Sequence, residues 1–317
     1  MIKMTHRLAI IIPAYKATFL PAALDSLAAQ TCKAFTLYVG DDCSPEPIGG
    51  IVEQYRDNIE LVYQRFDSNL GGKDLVAHWE RCIAMSKDES YIWLFSDDDI
   101  MEANCVEQLL KTIDETKGAY DLYHLGSYRI DENGKIELLR KPYPSVFSSY
   151  DFYKGKMLGK YDSYVVENVF SRRIYEQSGG FKNFDLAWGS DVATWCIFCN
   201  DKGMCSVPGA LIGWRRSSQN ITPKKTRETA ERKLMADCAF LCWAYRFYHQ
   251  ETDIWQVNRT RFVTSVCQYR KRVGRSCLKE ASRLFYETHG HHSERLFISL
   301  LIALPRKIRN LWLKVIG

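Results

Sequence analysis

The sequence predicts an α/β protein whose mostly parallel sheet is covered by helices. Two observations indicate this class: short apolar runs alternate with helix-patterned stretches through the first half of the chain, and those runs are continuous rather than alternating with polar residues. Continuous apolar strands joined by helices are typical of a parallel sheet buried on both faces. The chain has 317 residues, of which 46% are hydrophobic and 26% charged. This composition supports a large core and argues against a disordered or collagen-like chain.

The first half of the sequence contains four strand–helix pairs. The predicted strands are residues 8–12, 35–39, 60–66 and 91–95, and the predicted helices are residues 19–30, 48–55, 72–85 and 103–115. Ligands of such sheets bind beyond the carboxyl ends of the strands. The residues directly after each strand are therefore the candidates for chemistry.

The second half is less regular. Residues 121–140 predict a hairpin that turns at Asn133-Gly134, a dipeptide that favours tight hairpin turns. The remaining predicted elements are helices at 171–177 and 191–200, a strand at 205–214, and helices at 226–248, 257–269 and 276–287. We place a boundary near 217–223, which gives an α/β domain over residues 1–220 and a helical extension over residues 221–317.

Cysteine content and charge indicate an ordinary intracellular protein. There are eleven cysteines and no export signal, so we expect reduced thiols that pack as small apolar side chains in a cytoplasmic protein. Cys196 and Cys199 have the spacing of a zinc knuckle, but no second pair follows at ligand spacing, and core packing is the favoured interpretation. A net charge of +5 does not indicate a nucleic-acid partner, and no apolar run is long enough to span a membrane.

Acidic residues follow two of the predicted strands. Asp41 and Asp42 follow the second strand, and Asp97, Asp98 and Asp99 follow the fourth. Three successive carboxylates repel one another and resist burial, a cost that a divalent cation would relieve. Mg²⁺ or Mn²⁺ is suited to such oxygen ligands and is usually held by one or two carboxylates plus substrate phosphates. The alternative is a solvated acidic turn, and the acidic pair on the neighbouring strand favours the cation.

Taken together, the motifs resemble the inverting family-2 glycosyltransferases of the GT-A fold. The resemblance covers roughly residues 7–220 and rests on an ordered set of short motifs: IIIPAYK, LDSLAAQT, LYVGDDCS, Asn69-Leu70-Gly71, YIWLFSDDDIM, QSGGF, Asp191 and WRRSSQNIT. It implies that residues 1–220 form a Rossmann-like GT-A catalytic domain. The implied reaction moves a sugar from a nucleotide-sugar donor, expected to be UDP-linked, to a saccharide or lipid-linked acceptor.

The resemblance implies a nucleotide site at the strand ends. The residues that would line it are Pro13, Ala14, Tyr15, Asp41, Asp42, Asn69, Gly71, Lys73, Asp97, Asp98, Arg215 and Arg216. Tyr15 would lie against the base or ribose, and Asp42, with Asp41, would accept hydrogen bonds from uracil. Arg215 or Arg216 would contact the diphosphate, because a planar guanidinium suits phosphate oxygens.

The acidic triplet matches the D-x-D motif of that family. By resemblance Asp99 is the expected ligand of Mn²⁺ or Mg²⁺, with Asp97 as the second ligand. Asp97 or Asp98 would hold the ribose or reach the metal through water. The metal would bridge the two phosphates and neutralise the leaving UDP.

An inverting transfer also needs a base for the proton of the acceptor hydroxyl. Asp191 stands at the family's position for this base, although Ser190 replaces the first acid of the common pair. The alternative is an acid that stabilises the start of a helix. Nearby, Trp188 either stacks on the acceptor sugar or packs in the core.

The C-terminal end combines basic and apolar residues. From Arg295 to Gly317 there are five Lys or Arg and no acid. A short helix with Trp312 and a basic face is typical of an interfacial membrane helix, and the alternative is a helix docked on the catalytic domain. We therefore expect a protein peripheral on the inner membrane face, and the family resemblance implies a role in cell-surface polysaccharide synthesis.

Two other functions remain open on sequence grounds. A nucleotidyltransferase on a related sheet would need a glycine-rich triphosphate loop after the first strand, and IIIPAYKATF has no glycine. A nucleotide-binding or scaffolding module without catalysis would keep only the fold. Metal-dependent binding of UDP distinguishes the transferase from both.

Overall fold

The computed structural model describes residues 6–217 and 226–291 of the chain. These residues form two compact units. The first contains the described residues up to Ser149, Ser163–Phe181 and the described residues from Thr194 to Ser217. The second contains Tyr150–Asp162, Lys182–Ala193 and the described residues from Thr226 onward. The predicted tail helix lies outside the described residues.

Strands alternate with helices in the first half, as the apolar pattern predicts. The strands are β1 (Leu8–Ala14), β2 (Phe35–Asp41), β3 (Leu61–Arg65), β4 (Tyr91–Leu94), β5 (Ile100–Met101), β6 (Leu122–Ile130), β7 (Ile136–Leu139), β8 (Val146–Phe147), β9 (Asn168–Ser171) and β10 (Met204–Arg215). The helices are α1 (Leu20–Ala28), α2 (Ile48–Glu53), α3 (Leu75–Ile83), α4 (Cys105–Glu115), α5 (Ser149–Met157), α6 (Arg172–Gln177), α7 (Ser190–Phe198), α8 (Arg227–Phe247), α9 (Ile254–Tyr269) and α10 (Arg275–His289).

The strands form one mixed sheet in the first unit, with the order β3-β2-β1-β4-β9-β6-β10-β5. The four strands β3, β2, β1 and β4 are parallel, and so are β6 and β10. β9 pairs antiparallel with β4 on one side and β6 on the other. The predicted fold class, a mostly parallel sheet flanked by helices, is confirmed.

Burial explains why the first two strands are continuous apolar runs. Every residue of β2 is buried, and six of the seven residues of β1 are. The core under the sheet includes Leu8, Ile10 and Ile12, whose side chains have no exposed surface. Parallel strands covered on both faces leave no side for polar residues.

The hairpin predicted at Asn133-Gly134 is present, since β6 and β7 pair antiparallel across it. Gly134 has a φ of +81°, in the left-handed region that glycine adopts without strain. Four elements lack a sequence signal: β5, β8, β9 and α5. β5 and β8 are only two residues long, and β9 begins with the fully buried polar residue Asn168.

The second unit is mainly helical. α8 packs against both α9 and α10, and the rings of Phe262 and Phe285 stack between α9 and α10 with centroids 4.1 Å apart. All eleven cysteines are free thiols. Cys196 in α7 and Cys199 directly after it are fully buried, as the core interpretation predicts. Within residues 6–217 and 226–291, no helix is both long and apolar enough to cross a membrane.

Candidate functional site

The loops after β1 and β2 are joined at the end of the sheet. Ala14 pairs in register with Asp41, and the carbonyl of Ala14 accepts a hydrogen bond of 2.9 Å from Asp42 N. Ser44 Oγ donates to the carbonyl of Tyr15 at 2.6 Å. Tyr15 itself is 40% exposed, so its ring is available to a ligand.

Asp41 ends β2 and is fully buried. Its Oδ1 accepts a hydrogen bond from Ser44 N at 2.8 Å. Its Oδ2 accepts from Tyr63 OH at 2.7 Å and from Arg65 Nη1 at 2.8 Å. Both partners lie on the neighbouring strand β3, and the carboxylate therefore fastens the β2 exit to β3.

Asp42 organises the loop before α3. Its Oδ1 accepts from Leu70 N at 2.8 Å and its Oδ2 from Gly71 N at 2.9 Å. A Cβ on Gly71 would lie 2.8 Å from Asp42 Oδ2, so a larger residue here would require this carboxylate to shift. Asn69 Oδ1 accepts from Gly72 N at 2.7 Å, which fixes the same loop, and Lys73 is exposed.

Two side chains of α3 complete the surroundings of Asp42. Arg81 Nη2 donates to Asp42 Oδ1, and its guanidinium lies 4.0 Å from the centre of the Phe66 ring. Arg81 Nε lies 3.0 Å from His78 Nδ1. Burial lowers the pKa of His78 to about 4, and the ring is therefore neutral near pH 7.

The acidic loop after β4 contacts the β1 exit directly. Asp97 Oδ2 accepts hydrogen bonds from Tyr15 N at 2.9 Å and Lys16 N at 2.8 Å. Lys16 Nζ lies 3.0 Å from Asp98 Oδ2 and 3.6 Å from Asp97 Oδ1. One ammonium group thus bridges two of the three carboxylates.

Asp99 is the least compensated of the three. It is 2% exposed, and its Oδ1 accepts one hydrogen bond, from Arg215 N at 2.6 Å. Burial, and next the charge of Asp98, raise the pKa of Asp99 well above its usual range. Burial also raises the pKa of Asp97. The Lys16 ammonium opposes this rise at both residues, and burial prevails at each.

The two arginines at the end of β10 differ in what they contact. Arg215 is 4% exposed, and its guanidinium donates to the carbonyls of Asp98 at 2.7 Å and Asp131 at 3.0 Å. It also lies 4.6 Å from the centre of the Phe19 ring. Arg216 is exposed and pairs with Glu137 at 2.9 Å. Arg215 therefore braces the acidic loop, while Arg216 faces solvent.

The donor set after β4 fits a divalent cation. In the described part of the chain, no group of three or more His, Cys, Asp or Glu side chains is arranged to hold a metal by itself. Mg²⁺ sites that include substrate phosphates need only one or two carboxylates. The Lys16 ammonium is a stand-in cation on two of these carboxylates, which shows that they share a space suited to positive charge.

Asp191 lies in the first turn of α7, in the part of that helix that belongs to the second unit. Burial raises its pKa, and Lys156 of the same unit partly offsets this. A carboxyl with a raised pKa is a stronger base than an exposed one. Its place in the first helical turn is equally that of an acid stabilising a helix start.

The loop before Asp191 is strained and held by α8. Leu186 and Ala187 have φ values of 58° and 53°, in the left-handed region that costs a side-chain-bearing residue about 1 kcal/mol or more. Trp188 Nε1 donates to Asp237 at 3.2 Å, and the Lys233 ammonium lies 4.5 Å from the Trp188 ring. Trp188 is partly buried, a packed position that leaves part of its surface exposed.

The structure thus brings the predicted residues of β1, β2, the Asn69 loop, β4 and Arg215 to one edge of the sheet. The charged partners of these acids, namely Lys16, Arg65 and Arg81, are absent from the predicted site. For Lys16 the sequence contains one signal, its position directly after a strand in the motif IIIPAYK. For Arg65 and Arg81 it contains none, because their contacts depend on the tertiary fold.

A family model described as glycosyl transferase family 2 matches residues 9–177, more than half of the chain. An uncharacterized glycosyltransferase of Haemophilus influenzae is 32% identical over 119 residues, which is 37% of this chain and 38% of that protein. The alignment with this curated relative therefore spans well under half of the relative's length.

Solved structures share the fold. The S. aureus TarS 1-349 structure in complex with UDP-GlcNAc aligns with 93% of this chain and 90% of that chain, at 14% identity and a TM-score of 0.58. The structure of GalNAc-T7 with UDP, GalNAc and Mn²⁺ aligns with 74% of this chain and 48% of that chain, at 11% identity and a TM-score of 0.52. These values establish that the chain shares the fold of these two structures.

Proposed function

Because the chain belongs to glycosyl transferase family 2, we propose that it moves a sugar from a UDP-linked donor to a saccharide or lipid-linked acceptor with inversion at the anomeric carbon. The observation that carries this proposal is the meeting of the β1, β2 and β4 exits at one edge of the sheet. There an exposed aromatic ring, a loop of backbone amides and a buried acidic cluster lie side by side. Such strand ends are where α/β sheets bind ligands.

The donor nucleotide is expected to contact the ends of β1 and β2. Tyr15 offers an exposed ring for the base or ribose. Asp42 Oδ2 accepts one hydrogen bond, from Gly71 N, and a carboxylate oxygen can accept a second one from uracil. The side chains of Lys73 and Arg216 are exposed, and we expect them to approach the diphosphate from the solvent side.

The acidic loop is the proposed place of Mn²⁺ or Mg²⁺, with Asp99 and Asp97 as protein ligands. The raised pKa of Asp99 supports this role, because a buried carboxylate short of positive charge gains from a cation. When bound, the ion would supply Lewis-acid stabilisation of the negative charge that develops on UDP. The Mn²⁺ in the GalNAc-T7 structure supports the same chemistry for a protein of this fold.

Asp191 is the proposed general base. Its carboxylate would take the proton of the acceptor hydroxyl as that oxygen bonds to the anomeric carbon, and the bond from that carbon to the diphosphate oxygen would break. The raised pKa of Asp191 makes the carboxylate a better proton acceptor. Activity should rise with pH through that raised value, because only the deprotonated form accepts the proton.

A donor screen tests the proposed reaction. Purified protein with Mn²⁺ is incubated with UDP-glucose, UDP-galactose, UDP-GlcNAc and UDP-GalNAc, and released UDP is measured with and without a saccharide acceptor. We expect one donor to be used preferentially and the signal to vanish in EDTA. Release of UDP from none of these donors would argue against a hexosyl or N-acetylhexosaminyl transferase.

The base is tested with Asp191→Asn, which keeps the size of the side chain. We expect a loss of about 10³-fold in transfer rate, within the range for removal of a general base, with UDP affinity unchanged. Asp201→Asn, at an exposed position after α7, is the matched control and should retain activity. Full activity of Asp191→Asn would leave Asp191 with only a helix-stabilising role.

Membrane association and a role in surface polysaccharide synthesis belong to the same proposal. The first rests on the basic, apolar tail of the sequence, and the second rests on the family resemblance. Full-length protein should sediment with liposomes that contain anionic lipid, and a chain truncated after Glu294 should not. If equal fractions of the two chains sediment with the liposomes, the tail does not bind membranes. That result would not bear on the proposed transfer reaction.

A further inference from the structure

The proposed metal site already holds a cation that belongs to the chain. Lys16 Nζ pairs with Asp98 Oδ2 at 3.0 Å and lies 3.6 Å from Asp97 Oδ1. Only 25% of the Lys16 side chain is exposed. The ammonium therefore lies among the carboxylates that would otherwise face a divalent cation.

We propose that Lys16 is an exchangeable counter-ion of the donor site. Without donor, its ammonium neutralises Asp97 and Asp98. When a divalent cation enters with the nucleotide, Lys16 leaves these carboxylates and pairs with the diphosphate of the donor. The inference deepens the proposed function and rests on it.

The two cations cannot share the carboxylates. Mg²⁺ binds oxygen at about 2.0–2.1 Å, so an ion on the oxygens that Lys16 now contacts would lie within a few ångströms of the ammonium. Like charges at such distances repel strongly where water is scarce. Binding of the metal to Asp97 or Asp98 therefore requires the ammonium to move away.

The local structure allows that movement without disturbing the loop. The backbone of this segment is fixed separately, because Tyr15 N and Lys16 N both donate to Asp97 Oδ2. The four-carbon stem of lysine is flexible, and its ammonium carries its charge as a point with rotatable donors. The head group can thus exchange carboxylate oxygens for phosphate oxygens while the main chain stays in place.

Charge balance favours the exchange only when donor and metal arrive together. The ammonium of Lys16 forms ion pairs with Asp97 and Asp98, and Asp99 accepts its hydrogen bond from the backbone of Arg215. A metal alone would have to displace that ammonium into solvent. A metal with a diphosphate replaces it and gives it a new anionic partner, so the two ligands should bind cooperatively.

The test measures Mn²⁺ affinity directly, by the electron paramagnetic resonance signal of free Mn²⁺, in the presence and absence of UDP. In the unmodified chain we expect weak binding of Mn²⁺ alone and at least tenfold tighter binding with UDP. Lys16→Met, which keeps the stem and removes the charge, should bind Mn²⁺ alone about tenfold more tightly. The increase in Mn²⁺ affinity that UDP causes should be correspondingly smaller in this variant.

Three further variants serve as comparisons. Lys16→Gln repeats the charge removal with a polar side chain and should behave like Lys16→Met. Lys16→Arg keeps the positive charge and should bind Mn²⁺ alone no more tightly than the unmodified chain. Lys111→Met removes an exposed lysine charge on α4 and should leave Mn²⁺ affinity unchanged. Thermal unfolding in EDTA verifies that each variant is folded.

Unchanged or weaker binding of Mn²⁺ alone by Lys16→Met and Lys16→Gln would overturn the exchange, even with metal-dependent UDP binding intact. A different result separates failure of the proposed function: if the unmodified chain binds no UDP with or without Mn²⁺, the site is not a UDP site and the exchange is excluded with it.

Discussion

Two acidic loops follow the strands on either side of β1, and the protein compensates their charges in different ways. Asp41 and Asp42 accept hydrogen bonds from two guanidinium groups, a phenol and three backbone amides. The loop after β4 has three buried carboxylates and one ammonium group, with three backbone amides and the Ser96 hydroxyl. The negative charges of the first loop are compensated within the protein, and those of the second loop are compensated only in part.

The difference separates a structural use of carboxylates from a binding use. Buried charges stabilise a fold when they are paired and hydrogen-bonded, and they destabilise it when they are not. The raised pKa of Asp99 and Asp97 marks the second situation. We infer that the loop after β4 carries a stability cost that its ligand removes, whereas the loop after β2 stabilises the nucleotide pocket at all times.

The largest effect is expected for activity when Asp99 is changed to Asn. The proposed metal ligand loses its charge, and the transfer rate should fall by about 10³-fold, which corresponds to about 4 kcal/mol. Initial rates of UDP release at saturating Mn²⁺ provide the measurement. Asp57→Asn, an exposed position before β3, should retain the full rate. A fall of less than tenfold for Asp99→Asn would argue against Asp99 as a metal ligand.

The next effect concerns stability in the other loop. Asp42→Asn removes the charge that pairs with Arg81 and turns an acceptor of Gly71 N into a donor. Loss of one partner of a buried ion pair costs about 3 kcal/mol. Urea unfolding should show that decrease in the free energy of unfolding. A change below about 1 kcal/mol would mean that the loop after β2 is not held by this carboxylate.

Asp99→Asn should increase the free energy of unfolding measured in urea, whereas Asp42→Asn should decrease it. In EDTA, the variant should be more stable than the unmodified chain by about 1 kcal/mol, because a buried carboxylate short of positive charge becomes neutral. The Asn oxygen can still accept the bond from Arg215 N. Mn²⁺ with UDP should raise the Tm of the unmodified chain and not that of the variant. Destabilisation by Asp99→Asn would contradict the contrast between the loops.

The difference in stability between Asp99→Asn and the unmodified chain should depend on pH. A carboxyl whose pKa is raised in the folded state binds its proton more tightly there, so its favourable contribution is present at low pH. That contribution is lost as the pH rises from the ordinary aspartate pKa of 3.8 through the raised pKa of the folded state. The stability advantage of Asp99→Asn in EDTA should therefore grow from pH 4.5 to pH 7. Urea unfolding at both pH values measures it, and a constant difference would refute it.

The smallest effect is expected for Tyr63→Phe. The change removes one of three donors to Asp41 and leaves Arg65 and Ser44 N in place. A hydrogen bond of this kind contributes about 1 kcal/mol. Urea unfolding should show a loss of that size with unchanged Mn²⁺ affinity. A large change in Mn²⁺ affinity would mean that the two acidic loops are energetically coupled.

The sequence predicted those parts of the fold that depend on local pattern. β1, β2 and β4 are apolar runs followed by loops with polar side chains. The sequence therefore predicts both the strands and the position of a candidate site at their carboxyl ends. β9 could not be predicted, because it has only four residues and one of them is the polar Asn168, which is typical of a loop. It becomes a strand by pairing with β4 and β6. Its antiparallel insertion arises from tertiary pairing.

The same distinction applies to the candidate site. The acidic residues were identifiable because charged residues directly after buried strands are unusual. Their compensation was not: Arg81 reaches Asp42 across 39 positions of sequence, and Tyr63 reaches Asp41 across 22. These distant partners, and not the acidic motifs themselves, determine which carboxylates are compensated within the protein and which ones are suited to a bound cation.

Calorimetric titration of UDP into the unmodified chain, once with Mn²⁺ and once with EDTA, measures whether the nucleotide needs a cation at the loop after β4. If the negative charges of that loop are compensated only in part, UDP binds with Mn²⁺ and binding in EDTA is at least tenfold weaker. Equal affinity in the two buffers would show that the acidic loop needs no cation to receive the nucleotide, and it would contradict the proposed metal site.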